Sequence, residues 1–342
     1  MFELKLRANR YFVGKKLKRN QERVSSQVRE KNLYSVILSS LLKLFVLCLF
    51  GVAVIFPFVF MILISFMNDT EAGSLKTTFT LLPSFKGGTS YVYGEGNVNL
   101  DTWSAVVANT YNKAISSGYW DSFILTTVNV FVSVFLKVFI TSLMGYAFSL
   151  KTWRGKGLIW FLALALLVLP EVALLSGQYI VVLKTGLFKT FFLFVIAVAA
   201  PFSASIFNTV MYKNAFEAIP GRIKEVSLVD GASGAKYFFK IALPMVVPTT
   251  LTIVILTSLS SWNAYLWPSV ISTIGDTKFE VISVWLFKAG LNPDDPNSGA
   301  NIAVNVKLAA SIIVILPMFI VYLFARKWIM RAVSRQGSTI KG

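Results

Sequence analysis

The sequence predicts an all-α integral membrane protein with about six transmembrane helices. Of its 342 residues, 55% are hydrophobic and only 14% are charged, and the apolar residues lie in long runs that can each cross a bilayer as a helix. Lysine and arginine gather beside those runs, where they orient a membrane protein. The net charge of +17 is therefore assigned to membrane orientation and not to a nucleic-acid partner.

Six apolar segments are the expected spans. They cover residues 35–65, 122–150, 157–183, 191–211, 245–271 and 308–329. The first follows a basic N-terminus, as in a signal peptide. It is too long for one and lacks a small-residue cleavage site, so we interpret it as a retained span.

The predicted organisation follows from these spans. It comprises a basic cytoplasmic tail at 1–34, a first transmembrane helix at 35–66, an extracytoplasmic loop at 67–121, a core of five transmembrane helices at 122–329 with a polar loop at 213–244, and a cytoplasmic tail at 330–342. Within the extracytoplasmic loop, a strand or a short helix is expected around Asp101–Ala108.

The distribution of charge predicts the side of the membrane that each connection occupies. Both termini, the connector at 151–156 and the stretch at 213–240 are basic, whereas acidic residues such as Asp69, Glu71 and Asp276 fall in the other set of loops. The positive-inside rule then places both termini and the loop at 213–244 in the cytoplasm.

The residue inventory argues against chemistry within this chain. Histidine is absent, which removes the commonest general base and the commonest metal ligand. No G-x-x-x-x-G-K-[ST] run is present, so no phosphate-binding loop for ATP is expected. The sequence thus predicts a protein that is not an enzyme, with no catalytic residues and no metal site.

The polar loop holds the most informative stretch, "AIPGRIKEVSLVDGASGAKYFFKIALP", at 218–244. Ile219-Pro220 is expected to start a helix, since proline is tolerated in a first turn. Asp230-Gly231 is expected to end it, because glycine past a helix end accepts the left-handed conformation. A second short helix is predicted from Ser233 to Ile241. The two helices are expected to form an elbow with one exposed face. That face must bind another protein or remain an apolar patch in contact with water.

This stretch resembles the EAA loop of ABC-importer permeases, whose pattern is E-A-A, then D-G-A, then I-x-L-P. The chain has Glu225-Val226-Ser227, Asp230-Gly231-Ala232 and Ile241-Ala242-Leu243-Pro244, so Val226 and Ser227 depart from the two alanines. Two further segments are similar to segments of the same family, namely "GYAFSLKTWRGK" from Gly145 and "SWNAYLWP" from Ser261, and the C-terminal "GSTIKG" is similar to the tail of the MalG-like carbohydrate permeases. The likeness covers most of the chain from Ser122 onward.

The resemblance implies a type I importer permease fold in a bacterial-type cell membrane, moving a sugar or oligosaccharide by alternating access. Its implied partners are a second, different permease subunit, two cytoplasmic ATPase subunits and an extracytoplasmic solute-binding protein. ATP and magnesium are expected on the ATPases, with no cofactor in this chain. The coupling residues implied by the motif are Glu225, Asp230, Gly231, Ala232, Leu243 and Pro244. The alternative for the stretch is an amphipathic loop lying on the membrane.

Residues for a substrate path are open to two interpretations. Glu171, beside Pro170, is an intramembrane acid and a functional candidate, or it pairs with Lys137 and holds two helices together. Tyr265, with its neighbours Trp262 and Trp267, can stack on a sugar ring or anchor a span at the membrane interface. The amides that can bond a sugar or instead link helices are those of Asn129, Gln178, Asn208 and Asn263.

Two alternatives for function stay open at this point. One is an ABC permease for another solute, such as glycerol 3-phosphate, for which Lys137 is the only deep basic candidate. The other is an ion-coupled secondary transporter or channel, although no inverted repeat or filter motif is evident.

Overall fold

The structure is a computed structural model that describes residues 11, 13–15, 33–92, 94–116, 118–151, 153–275, 277–291 and 303–338. For residues 33, 35–36, 171, 325 and 327–338 it describes the backbone alone. The predictions for most of the N-terminal tail and for the end of the C-terminal tail lie outside the described residues. The chain divides into two units, 1–60 and 61–342.

The first unit consists, in its described part, mainly of helix α1, Leu33–Ser65, whose last residues belong to the second unit. Its stretch Ile37–Ser65 is long and apolar enough to cross a membrane. Large apolar side chains such as Leu47, Phe50 and Val52 are exposed along it. A helix that is apolar on every side is expected where lipid surrounds it.

The second unit is built from fourteen further helices of the described chain and one hairpin. The hairpin pairs β1, Gly88–Val92, with β2, Gly96–Leu100, in antiparallel register from Gly88 opposite Leu100 to Val92 opposite Gly96. The helices are α2 Asp69–Ser74, α3 Trp103–Ser116, α4 Tyr119–Ser149, α5 Lys156–Ala165, α6 Glu171–Thr185, α7 Phe191–Ala199, α8 Ile206–Glu217, α9 Gly221–Val229, α10 Gly234–Tyr237, α11 Leu243–Met245, α12 Val247–Trp262, α13 Leu266–Ser272, α14 Ile282–Lys288 and α15 Val304–Ser338. Single turns of 3₁₀ helix follow α5 and α7, and a π-helical turn, Phe238–Ala242, joins α10 to α11.

The described spans confirm the predicted fold class. Helices α1, α4 and α15 each contain a stretch long and apolar enough to cross a membrane, and three bent pairs of helices bring the number to as many as six. The pairs bend by 99° between α5 and α6, by 62° between α7 and α8 and by 74° between α11 and α12. Pro170, Pro201 and Pro248 lie beside these breaks. A proline lacks the N–H that would continue the helical hydrogen bonds, so breaks are expected at these points.

Helix α4 is the centre of the second unit. It packs against α7, α8, α12 and α14, while α15 packs against α3, α12 and α14. The close approach of α4 to α8 depends on Gly145. A Cβ atom at that position would lie 2.4 Å from the Cβ of Tyr212 and 3.1 Å from the Thr209 carbonyl oxygen.

Gly145→Ala is therefore expected to destabilise the protein by about 1–3 kcal/mol, because an added methyl group forces two packed helices apart. The apparent melting temperature of the purified protein should fall. Gly157→Ala is the matched control, since nothing lies within 4 Å of a Cβ built there. Equal melting temperatures for the two variants would show that the α4–α8 contact is not as tight as its geometry indicates.

The region between α1 and α4 is more structured than the sequence indicates. The short element expected around Asp101–Ala108 is the start of helix α3, and α2 and the hairpin are present as well; we call residues 69–116 the polar cap. Asp69 is its centre, accepting from Lys113 Nζ and from the Tyr91 backbone N–H, both at 2.8 Å. Asn305, at the start of α15, donates to the same carboxylate at 2.7 Å. This network ties the cap to the last span.

The predicted fifth span, 245–271, is interrupted. Helix α12 ends at Trp262, and α13 begins only at Leu266. Pro268 explains the break, because its ring excludes a helical carbonyl four residues earlier and it offers no N–H to that carbonyl. The freed carbonyl oxygen of Ala264 instead accepts a hydrogen bond from the Ser283 hydroxyl.

Candidate functional site

The predicted elbow is present in the loop at 213–244. Helix α9 ends at Val229, and Gly231 has a φ of 69°, the left-handed conformation expected from the Asp-Gly pair. The Gly231 N–H donates to the Leu228 carbonyl at 3.1 Å, and the Ala232 N–H donates to the Ser227 carbonyl at 2.8 Å. These two bonds form a Schellman motif. The predictions of a helix from Ile219-Pro220 and of its end at Asp230-Gly231 are confirmed.

The outer face of the elbow carries an exposed patch of apolar and acidic residues. Val226, Leu228 and Val229 are exposed, Val229 to 88%, and Glu225 and Asp230 are exposed beside them. Ser227 and Ala232 are buried, so the departure of Ser227 from the alanine of the motif falls on the inner face. Three neighbouring apolar side chains held in solvent by a rigid turn are typical of a protein-binding surface.

The inner side of the elbow is anchored to the spans by aromatic rings. Tyr237 and Phe238 are buried, and the ring centre of Tyr146 on α4 lies 4.9 Å from that of Phe238 and 5.4 Å from that of Phe216 on α8. Tilted and edge-on ring contacts of this kind stabilise a packed core. The elbow is therefore packed firmly against α4 and α8.

The remaining predicted coupling residues, Leu243 and Pro244, lie in α11. Leu243 is half-buried and Pro244 is exposed, and both stand just before the 74° bend into α12. The structure thus places them at the joint between the elbow and a span.

A cavity of about 320 Å³ lies between α4 and the broken segment that joins α12 to α13. From α4 it is lined by Asn129, Ser133 and Lys137. These residues are four apart, so they share one face of the helix. The opposite walls come from the ends of α7 and α12 and the start of α13, and include Phe202, Ser260, Ser261, Tyr265 and Trp267.

The predicted path residues do not all meet at this cavity. Tyr265 lines it. Gln178 lines a separate, mostly apolar cavity with Leu174, Gly177 and Trp267. Asn263 is exposed, and its amide donates to the Leu259 carbonyl at 2.9 Å. Glu171 begins α6, but its side chain lies outside the described part of the chain, so its pairing with Lys137 stays a prediction.

Sequence reasoning missed Ser133, named Asn129 only as one of four amides, and considered Lys137 only as a partner of Glu171 or as a ligand for phosphate. The signal that could have found them is a polar residue at every fourth position of a long apolar helix.

The interpretation of Trp267 as an interface anchor is wrong. It is 3% exposed, and its indole Nε1 donates to the Ala197 carbonyl at 2.9 Å, which joins α13 to α7 in the core.

Comparison with known proteins agrees with this geometry. The family described as "Binding-protein-dependent transport system inner membrane component" matches residues 102–335. The chain belongs to this family. It is 37% identical over 318 residues to "Probable ABC transporter permease protein MG189" of Mycoplasma genitalium, covering 92% of this chain and 93% of that protein.

Two further transport proteins resemble this family member along most of its length. "Arabinooligosaccharides transport system permease protein AraQ" of Halalkalibacterium halodurans is 25% identical over 291 residues, covering 84% of this chain and 91% of that one. A chain of a solved bacterial ABC transporter, described as involved in import of the acidic polysaccharide alginate, matches with a TM-score of 0.66 at 21% identity. That match covers 88% of this chain and 99% of the other, and it confirms the fold.

Membership of the binding-protein-dependent transport family confirms the resemblance drawn from the motifs. The chain is a multi-pass membrane protein and the permease subunit of an ABC importer. The family implies ATPase, solute-binding and further permease partners. The alternative of an ion-coupled secondary transporter has no support from these matches.

Proposed function

We propose that this permease imports a sugar or oligosaccharide and that the elbow at 218–244 couples its spans to two cytoplasmic ATPase subunits. The observation that carries the proposal is the elbow itself. A Schellman turn fixes an exposed apolar and acidic patch on one side, and buried aromatic rings fasten the other side to α4 and α8.

The proposed mechanism is alternating access driven from outside the chain. When the ATPases bind ATP and close, the elbow moves with them, and the rigid aromatic contacts pass that motion to the spans. Several spans consist of two half-helices joined at a bend. These bends allow the central cavity to open to one side of the membrane and then to the other. This chain contributes no covalent chemistry, and ATP and magnesium are held by the ATPases.

Each coupling residue has a proposed role. Glu225 pairs with a basic residue of an ATPase, and Asp230, Gly231 and Ala232 shape the turn. Leu243 and Pro244 form the joint to α12. For the elbow to meet cytoplasmic ATPases, both termini must also lie in the cytoplasm, in agreement with the positive-inside distribution of charge.

Support for a carbohydrate substrate comes from the cavity and from a relative. Hydroxyl and amide groups of Ser133, Ser261 and Asn129 face a space that is also lined by Tyr265, a combination suited to a polyhydroxylated ring. The name of one relative specifies arabinooligosaccharides. We propose a second, different permease subunit as the other half of the passage.

The test uses the complete complex, with its co-purifying subunits and binding protein, in lipid vesicles. ATP hydrolysis is followed while neutral and acidic oligosaccharides are added one at a time. Stimulation of several-fold by one sugar is the expected result. A complex that retains its ATPase but responds to no carbohydrate would overturn the substrate assignment, and recovery of the chain without any ATPase would overturn the coupling assignment.

A further inference from the structure

The cavity between α4 and the break before α13 lies deep in the membrane. Asn129, which lines it, is ten residues after the start of α4 at Tyr119, or about 15 Å along the helix axis. That distance is about half the thickness of the hydrocarbon core of a bilayer. On the opposite side of the cavity, the segment between Trp262 and Leu266 is unwound. Non-helical backbone is tolerated at such depth where it lines a cavity.

Asn129 carries a buried hydrogen-bond acceptor that has no donor. The residue is 1% exposed, and its Oδ1 atom has no hydrogen-bond partner in the described part of the chain. Amides within membrane spans commonly bond to a neighbouring helix, and a buried acceptor that is left unpaired lowers the stability of the fold. The role of a link between helices therefore does not account for this oxygen.

A second unpaired atom lies on α12, the helix that packs against α4 on this side. Thr257 is 2% exposed, and its Oγ1 atom also lacks a partner among the described residues. A threonine within a helix can donate to the carbonyl four residues earlier, as Thr126 does to Ser122 at 2.7 Å, but Thr257 makes no such bond. It precedes Ser261, which lines the cavity, by four residues, so the two share one side of α12.

The other unpaired side-chain atoms that are buried in the described chain lie away from this cavity. Ser90 and Asn305 are at the polar cap, and Gln178 lines the separate apolar cavity. Lys137 lines the central cavity but is already engaged in an interaction within the chain, so it is given no part here. Two unpaired acceptors therefore lie beside a space of about 320 Å³, a volume within the range of small-molecule sites.

We propose that this cavity is a substrate subsite in which sugar hydroxyl groups donate hydrogen bonds to Asn129 Oδ1 and Thr257 Oγ1. The proposal rests on the proposed function, in which a sugar passes between these spans. Movement of α4 relative to α12 during alternating access brings the two buried atoms to the substrate. The empty chain thus gives up stability at these positions for the recognition of hydroxyl groups, and this subunit binds the sugar as well as transmitting motion.

The first measurement is the apparent melting temperature of the complete complex without sugar. Asn129→Leu and Thr257→Val each remove an unpaired polar atom with little change in size, so each should raise the melting temperature by a few degrees. Gln178→Leu removes an unpaired atom outside the cavity and should raise it as well. A lower melting temperature for both cavity variants would show that the two atoms are paired within the fold, which overturns the proposal.

The second measurement is the stimulation of ATP hydrolysis in the complete reconstituted complex. The probes are arabinotriose, maltotriose and an oligogalacturonate. Asn129→Leu and Thr257→Val should each raise the sugar concentration for half-maximal stimulation by about three- to tenfold, the usual worth of one neutral hydrogen bond. Thr257→Ser keeps the hydroxyl group and should keep the response. Gln178→Leu is the matched control and should leave the response to sugar unchanged.

The two measurements together separate the possible outcomes. Higher melting temperatures in all three variants, with a weaker sugar response in the two cavity variants alone, support the subsite. Higher melting temperatures with an unchanged sugar response overturn the subsite and leave the carbohydrate assignment standing. An unmodified complex that retains its ATPase but responds to none of the three probes overturns the carbohydrate assignment, and the subsite with it.

Discussion

Gly231→Val is expected to uncouple the permease from its ATPases and to lower substrate-stimulated ATP hydrolysis by about tenfold or more. Gly231 has a φ of 69°, a conformation that costs a non-glycine residue about 1–3 kcal/mol, with β-branched residues the least tolerant. Each 1.4 kcal/mol is a factor of ten. To relieve the strain, the chain must open the turn, which breaks the Ala232-to-Ser227 bond and displaces the exposed patch.

The backbone alone is responsible for this effect. A Cβ atom built on Gly231 has nothing within 4 Å, so the first carbon of the new side chain meets no neighbour. Gly231→Asn is the matched control, because asparagine enters the left-handed region with a much smaller penalty. The asparagine variant should keep most of its stimulated hydrolysis. If both variants behaved like the unmodified chain, the elbow would not transmit motion through a fixed turn.

The elbow could be predicted because its determinants are local. Proline at the start of α9, glycine two residues beyond its end and apolar residues at helical spacing all lie within about ten residues of one another, and each has a direct effect on backbone conformation. The aromatic anchor behind it could not be predicted in the same way. Tyr146 and Phe238 are far apart in sequence and meet only when α4 packs against the loop.

The polar cap shows where local reasoning stops. The stretch is rich in glycine, serine and threonine, and favours turns. Its order depends on Asp69, whose bonds to Lys113 and Asn305 cross 44 and 236 residues of sequence. The Lys113 and Asp69 side chains are only 8% and 21% exposed. The two residues of the charge pair that holds the cap together are too far apart in sequence for a local pattern to reveal them.

Some of the residues that line the cavity could be predicted from the sequence. Tyr265 was chosen for its aromatic ring and lines the space, whereas Gln178 and Asn263, chosen as intramembrane amides, point elsewhere. Asn129 is also an amide and does line the space, so the residue type does not decide; the difference comes from which face of each helix is turned toward the cavity. The facing of Asn263 follows from the break before α13, which Pro268 causes, and that of Gln178 on α6 follows from tertiary packing that hydropathy does not encode.

Reversing the charge of Glu225 is expected to abolish coupling while leaving the chain inserted and folded. Glu225 is exposed on α9 beside Val226, so Glu225→Lys should change the free energy of unfolding by no more than about 0.5 kcal/mol. If the proposed basic residue of the ATPase lies opposite, the lysine creates a like-charge contact that costs several kcal/mol. A cost of about 3 kcal/mol weakens the docked state by roughly one-hundredfold.

The measurement is the amount of ATPase that co-purifies with each variant, together with substrate-stimulated hydrolysis after reconstitution. Glu225→Gln should give an intermediate loss, since it removes the attraction without adding repulsion. Glu217→Lys is the matched control. It reverses a charge at the end of α8, in a partly exposed i,i+4 pair with Lys213 at 2.8 Å, and helix pairs with this spacing contribute about 0.3–0.5 kcal/mol. Equal transport rates for Glu225→Lys and the Glu217→Lys control would contradict the docking role. Charge reversal at position 225 would then have no greater effect than charge reversal outside the docking surface.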